Sequence, residues 1–402
     1  MRILLLGEYS NVHATLAKGL KVLGHDVTVL SNGDFWKDYP RDINLSRRPG
    51  RLGGMAYMAH LAALLPKLRG YDVVQLINPL FLELKAERIE PVYDYLRRYN
   101  RHMVMGAFGM DWYWVKTCVE NRPLRYSDFN IGDRLRDDEE ALRYRRDWLG
   151  TEKERLNRGI ATDCDAIVAG LYEYWVCYHP AFPQKTTFIP YPIEMPAETP
   201  RLWQQGEKIK VFLGINRERS AYKGTDIMLR AAQAVQQRHP ERMELRIAES
   251  VPFAEYQEMM NGSHMIMDQL YSYTPSMNPL LAMSKGIVCV GGGEPENYEI
   301  LSEQELRPIV NVEPTEESVE AQLERIIAQP ELLPRLQTES VEYVRRHHEY
   351  MKVAKQYEEI YERLKWGNEE MEDYKMRYKT IKIKKGEPRR THLNCFFTKK
   401  GD

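Results

Sequence analysis

Gly214-Ile215-Asn216-Arg217-Glu218-Arg219-Ser220-Ala221-Tyr222-Lys223-Gly224-Thr225-Asp226 is the stretch that decides how this chain reads. It follows Ile209-Lys210-Val211-Phe212-Leu213, an apolar run of strand composition. It leads into Asp226 to Arg238, whose apolar spacing suits a helix face. The loop therefore leaves a strand and enters a helix while carrying Arg217, Arg219 and Lys223 beside two glycines. A pyrophosphate asks for that combination, because dense negative charge needs cationic donors and close backbone approach. The alternative is a solvated basic turn, and the strand-loop-helix placement favours the phosphate reading.

The same alternation extends in both directions. Downstream come a strand at Met243 to Ala248, a strand at Met265 to Met267, a helix around Asn278 to Ser284 and a strand at Ile287 to Val290. An amphipathic helix at Glu316 to Ile327 and a last helix from about His347 to Trp366 follow. Upstream, Ile3 to Leu6 is a strand, Val12 to Leu23 a helix with Gly24 as its C-cap, and Asp26 to Leu30 a second strand. Buried strands follow at Tyr71 to Ile77, His102 to Met105, Asp165 to Ala169 and Thr187 to Pro190. Residues 111–158, rich in Arg, Asp, Tyr and Trp, read as helices decorating the first unit. The Pro-rich polar segment 191–208 is the linker candidate. Residues 1–195 then form a first Rossmann-like domain, 196–208 a linker, 209–346 a second such domain, 347–368 a terminal helix and 369–402 a tail. Compact strand-helix-strand units imply parallel sheets with right-handed crossovers, and ligands of such sheets sit beyond the carboxyl ends of the strands. Two sheets facing each other put the natural site in the cleft between them.

Composition bounds the options. The 402 residues suit two domains, and 43% hydrophobic with 29% charged residues is ordinary for a globular protein. A net charge of -1 gives no global field for nucleic acid. No apolar run approaches a spanning helix, and Met1 to Glu8 reads as a first strand rather than a leader. The five scattered cysteines show neither metal nor redox spacing, so a reduced, cytoplasmic protein is expected. The charge is uneven: residues 375–402 hold ten Lys/Arg and two Asp/Glu, a balance of +8, which leaves -9 on the rest.

Gly214 through Asp226, with Lys223-Gly224-Thr225-Asp226, resembles the phosphate-binding stretch of the GT-B glycosyltransferases of the glycogen-synthase-like, retaining group. Gly24-His25-Asp26-Val27-Thr28-Val29, Phe188-Ile189-Pro190-Tyr191-Pro192-Ile193 and Leu280 to Val288 resemble further segments of that group in the expected order, from residue 1 to about 366. The resemblance implies an α/β chain of GT-B type: two Rossmann-like domains, parallel sheets facing an interdomain cleft, and a C-terminal helix crossing back to the first domain. It implies Lys223 with Arg217 or Arg219 on the donor diphosphate, a nucleotide-sugar as co-substrate, no other cofactor and no metal, since cations and helix dipoles hold the diphosphate. The chain departs from the group at one point. The two acids expected with seven residues between them fall at Tyr273 and Leu281. Ser276 and Asn278, or Glu294 and Glu296 in Gly291-Gly292-Gly293-Glu294-Pro295-Glu296, are the candidates to replace them on ribose and sugar. The alternative for the glycine run is a tight turn.

In the first domain, Gly7, Glu8 and Ser10 leave the first strand without G-x-G-x-x-G, so a nicotinamide cofactor is poorly supported and an acceptor loop is expected. His13 is a candidate proton shuttle or a surface helix-start histidine. Asp111, after Phe108-Gly109-Met110, is a candidate base or a helix N-cap. Trp112, Tyr113 and Trp114 could stack on an acceptor, and packing is the plainer reading. His347 and His348 point about 100° apart on a helix and read as helix surface, not as a metal pair. The basic tail is either solvated or attached to an anionic membrane that carries a lipid-linked acceptor. The expected function is sugar transfer from a nucleotide diphosphate sugar to a glycan or lipid-linked acceptor. The alternatives are a catalytically degenerate scaffold of the same shape and a sugar-nucleotide epimerase or hydrolase.

Overall fold

The computed structural model describes residues 1–249 and 251–367. The first sheet takes β1 (Arg2–Leu6), β2 (Asp26–Ser31), β3 (Ile43–Asn44), β4 (Val73–Leu76) and β5 (His102–Ala107). A separate antiparallel hairpin, β6 (Asn130–Ile131) and β7 (Arg134–Leu135), comes next, and β8 (Ala166–Ala169) and β9 (Thr186–Phe188) complete the sheet. Its order is β3-β2-β1-β4-β5-β8-β9, with parallel pairings throughout. The second sheet orders β10 (Ile209–Ile215), β11 (Met243–Glu249), β12 (Met265–Met267), β13 (Val288–Gly291) and β14 (Val310–Asn311) as β11-β10-β12-β13-β14, again parallel. Ile3, Leu4, Leu5, Val73 and Val74 are fully buried, as strands covered on both faces require. The two-domain parallel α/β architecture is the one the alternation implies.

Each sheet has one place where strand order reverses. In the first it lies between β1 and β4, and in the second between β10 and β12. Crevices open at such points because consecutive crossovers leave in opposite directions. The loop after β10 is the basic stretch quoted above. It folds into a 3-10 turn, Arg217–Arg219, and a single helical turn, Ser220–Lys223. Gly224 then takes φ +74 and starts the helix Thr225–Arg238. A Cβ there would come 2.9 Å from that of Leu270, so glycine is required on both counts.

Two regions differ from the sequence expectation. Within 111–158 the helices Trp112–Glu120, Glu139–Trp148 and Glu152–Asp163 form, but the β6–β7 hairpin interrupts them. The last helix begins at Tyr350, after a separate helix Leu332–His347. The break exists because Ile193 pairs with the chain there: its N–H donates to His348 O at 2.6 Å, and Tyr350 N–H donates to Ile193 O at 3.0 Å. From that point the helix returns to the first domain, and a Cβ on Gly19 would lie 2.5 Å from that of Ala354. In the expected linker, Trp203 packs into the second core with Val211, Met265 and Leu333. Met1–Tyr357, which hold both sheets, form one compact unit. The expected basic tail, 369–402, lies outside the described residues. Among the described residues no helix is long and apolar enough to cross a membrane.

One buried carboxylate joins the two sheets' halves. Glu173, on the helix Tyr172–Tyr178 of the first domain, accepts from Ser272 Oγ (2.9 Å), Tyr273 N (2.8 Å), Thr274 N (3.1 Å) and Thr274 Oγ1 (2.6 Å) of the second. Burial raises its pKa, and the four donors oppose that rise. Glu173→Ala leaves those donors unmatched in a dry place and is expected to destabilise the fold by about 3 kcal/mol. Thermal unfolding reads this loss, and an unchanged midpoint rejects the assigned role.

Candidate functional site

Lys223 ends the helical turn at the second switch point. Among the described residues its ammonium makes no hydrogen bond or ion pair. Burial lowers its pKa, Asp268 at the end of β12 opposes this, and Arg219 and Lys37 add to it. Asp268 is pushed up to about 6 by burial, with Lys223 pulling it back. The two groups thus feel each other's charge without closing an ion pair, and both keep their capacity for a ligand. Lys37 belongs to the first domain, so the field at Lys223 is built by both domains.

The two arginines of the loop part company. Arg217 is 75% exposed and held by Glu249, with Nη2–Oε2 at 3.0 Å. Arg219 is partly buried, sits 3.3 Å from Glu140 of the first domain and lies over the Tyr222 ring at 5.2 Å. Arg219 shares the field of Lys223, while Arg217 is turned to solvent beside Glu249. Buried Arg136, from β7's end, also reaches this corner: it donates to Ala221 O at 2.9 Å and lies 3.5 Å over the Tyr271 ring. Sequence reading missed Arg136 and Lys37, because neither sits in a recognisable local pattern.

The expected sugar and ribose half is arranged differently. Glu294 is buried and accepts from Arg125 Nη2, from the Tyr126 hydroxyl and from Asn311 Nδ2 at 3.2 Å. Glu296 pairs with Arg125 Nη1 at 2.9 Å. Both carboxylates are therefore engaged by the first domain. Tyr273, at the first acid position, receives the Arg125 backbone N–H at 2.6 Å, and its ring lies 4.9 Å from that of Tyr126. Leu281, at the second, follows Leu280 in the helix Met277–Ser284. Asn278 donates to Tyr256 Oη at 2.8 Å. Ser276 stands at that helix's N-cap without using its hydroxyl to cap it.

At the first switch point, Gly7 takes φ +83, and a Cβ would meet Ile77 Cγ2 at 2.3 Å, so close packing alone accounts for the glycine. Glu8 turns back onto the helix Val12–Val22 and accepts from Ala14 N at 2.8 Å and His13 N at 3.3 Å. Ser10 and Asn11 both have left-handed backbone, as do Asp34 and Phe35 on the neighbouring loop. Such strain persists where the surroundings over-determine it. Here Asp34 accepts from Ser10 N at 2.9 Å, and Lys37 Nζ donates to Ser10 Oγ at 3.2 Å and to Asp34 at 2.6 Å. Beside these loops lies a cavity of about 200 Å³ lined by Gly7, Glu8, Asn32, Phe35, Tyr57 and Phe81 among others.

The two proton-transfer candidates are built into the fold. His13 is fully buried: Nδ1 donates to Gly7 O at 2.9 Å and Nε2 accepts from Gln75 Nε2 at 3.2 Å. Burial pushes its pKa down to about 3, so it is a neutral core histidine, neither a surface residue nor a shuttle near neutral pH. Asp111 is also fully buried, capping its helix by accepting from Trp114 N at 2.9 Å and taking the Tyr178 hydroxyl at 2.7 Å. The N-cap alternative describes its place. His347 and His348 diverge to Glu303 and to Tyr191 O, and His348 is buried rather than on the helix surface.

No protein-family model matches the chain, and no curated protein sequence matches it. Solved structures do. The chain resembles WaaG, a glycosyltransferase involved in lipopolysaccharide biosynthesis, with a TM-score of 0.57 and 11% identity over 90% of this chain and 99% of that one. It resembles HepE from Anabaena in complex with UDP-glucose, with a TM-score of 0.56 and 12% identity over 90% and 99%. It resembles sucrose-phosphate synthase from Thermosynechococcus elongatus, with a TM-score of 0.55 and 13% identity over 90% and 99%. At these identities the likeness establishes the shared fold, and the chain has the GT-B architecture.

The buried groups set a pH response. Burial pushes Glu8 up to about 8 and Asp111 up to about 7, from ordinary values of 4.5 and 3.8. The folded state therefore holds extra protons across that interval, and stability falls as pH rises through it. His13 and His348, both pushed down to about 3 from 6.5, act oppositely: the unfolded chain holds the extra protons between those values. Above pH 6.5 these histidines no longer contribute to the slope, so the carboxyls lower the thermal midpoint between pH 6.5 and 8. Glu8→Gln, which is neutral and of the same shape, is expected to shrink that fall. An identical decline in the variant would show that Glu8 does not carry the proton.

Proposed function

We propose that the chain is a glycosyltransferase that uses a nucleotide diphosphate sugar as co-substrate. The observation that carries the reading is Lys223, a desolvated cation at the switch point of the second sheet whose ammonium has no hydrogen-bond or ion-pair partner among the described residues. Lys223 and Arg219 bind the donor diphosphate. As the bond from the sugar's anomeric carbon to the diphosphate oxygen breaks, that oxygen gains negative charge. An acceptor hydroxyl oxygen forms the new bond and releases its proton. Fixed cations facing the leaving oxygen stabilise the step without reorganising, which is the main catalytic demand of such transfer. Arg217 is left out of this role because Glu249 already holds it in solvent.

The acceptor, a glycan or a lipid-linked glycan, belongs to the first domain, beside Ser10 and the cavity bordered by Gly7 and Glu8. Transfer of a hexosyl unit with retention and without a metal is the proposed chemistry, following the resembled group. Ser276, at a helix N-terminus, is the polar group retained for the sugar or ribose. Glu294 and Glu296 reach that half of the site after Arg125 releases them. The basic tail is proposed to hold the enzyme at an anionic membrane face.

A specific observation favours a second reading, that of a scaffold without catalysis. Arg125 and Tyr126 occupy the carboxylates that a donor would need. A panel of UDP-, GDP- and ADP-linked sugars read by thermal shift separates the two readings. The transferase gains stability with at least one of them, and the scaffold with none. Lys223→Ala is expected to weaken donor binding by about 2 kcal/mol, roughly thirtyfold, while Arg217→Ala stays near wild type. Equal affinity in wild type and Lys223→Ala rejects the diphosphate assignment.

A further inference from the structure

The helix Gly50–Leu64 is apolar on two sides. Tyr57, Leu61 and Leu64 face the core. Leu52 and Met55 are 82% and 69% exposed. Ala56, Ala59 and Ala63 are exposed as well, and the spacing of the five residues is that of one helical stripe. Phe35, 66% exposed on its left-handed backbone, lines the same cavity as Tyr57 and extends the apolar surface past the helix. An outward apolar stripe on a helix already anchored by its other face asks for a partner.

Charge indicates which partner. From Ile43 to Tyr71 the chain contains five Lys/Arg and no Asp or Glu, in a protein of net charge -1. Arg47, Arg48 and Arg51 cluster at the start of the helix and are exposed. Among the described residues none of their side chains forms an ion pair. A protein interior would not accept three unpaired guanidinium groups, whereas a layer of anionic headgroups over hydrocarbon accepts both the cations and the apolar stripe.

We propose that this face docks on an anionic lipid bilayer: Leu52, Met55 and Phe35 enter the headgroup–acyl boundary while Arg47, Arg48 and Arg51 contact lipid phosphates. The cavity between Phe35 and Tyr57 then opens at the bilayer surface. The inference stands apart from the donor reading, because it concerns one face of the first domain and is tested without turnover. It also stands apart from the tail, which remains present in every protein tested.

The test is flotation of the full chain with vesicles of phosphatidylcholine, with and without phosphatidylglycerol. Wild type is expected to float with the anionic vesicles and to be released by salt. The variant carrying Arg47→Ala, Arg48→Ala and Arg51→Ala is expected to partition about a hundredfold more weakly. Leu52→Glu with Met55→Glu is expected to lose flotation too, while Val22→Glu, exposed elsewhere on the first domain, floats as wild type. All these positions are exposed, and an unchanged far-ultraviolet spectrum verifies folding. Wild type that stays with the soluble fraction overturns the proposal, as does either patch variant that floats undiminished. Dissociation of a dimer by Leu52→Glu/Met55→Glu, with no flotation of wild type, would assign the face to a second copy and overturn it equally.

Discussion

A carboxylate taken out of water needs donors in proportion to its charge, and Glu173 finds all four across the gap between the two domains. That requirement fixes where the segment Ser272–Thr274 must lie. The segment begins five residues after the end of β12, so fixing it also fixes the second switch point relative to the first domain. Arg125, Tyr126 and Arg136 add their contacts from the same side. The opposition of Lys223 to the Ser10, Asp34 and Lys37 loops follows from this fixed placement. The electrostatics of the cleft are in this sense set by a residue that touches none of its cations.

Desolvation then acts on several of the ionisable groups gathered around the cleft. It lowers Lys223 and His13 and raises Asp268, Asp111 and Glu8, as burial does to groups of either sign. The groups differ in what relieves them. His13, Asp111 and Glu8 are satisfied by nearby backbone and side-chain partners, and each has become part of a helix start. Among the described residues the side chains of Lys223 and Asp268 lack such hydrogen-bond partners, which is why the proposed donor site is drawn around Lys223 rather than the histidine.

The sequence carried the fold because that information is local: period-two and helical spacings, glycines after helices, and a strand-loop-helix with cations. It placed Lys223 between a strand and a helix for the same reason. It did not carry Glu173, Arg125 or Arg136, whose roles come from partners between about 85 and 171 residues away. It offered Glu294 and Glu296 as ligand candidates beside a plain tight turn, because a Gly-rich loop after a strand looks alike whether or not an arginine from another domain pairs with it. It could not divide Arg217 from Arg219, since two arginines of one loop differ only in which carboxylate, Glu249 or Glu140, the fold brings beside them. His13 and Asp111 looked chemical because buried polar groups at helix starts and catalytic groups draw on the same residue types.

The return of Tyr350–Tyr357 to the first domain also bears on how the chain matures. Gly19 sits on the first helix, and the residue that covers it, Ala354, is made more than three hundred positions later. During vectorial synthesis the first domain emerges with that groove open, and it stays open until the second domain has left the ribosome. Contacts of such sequence separation close late because a long loop must be ordered first. The nascent amino-terminal half is therefore the stage at which a chaperone has most to shield, and the final helix acts as the latch that ends that stage.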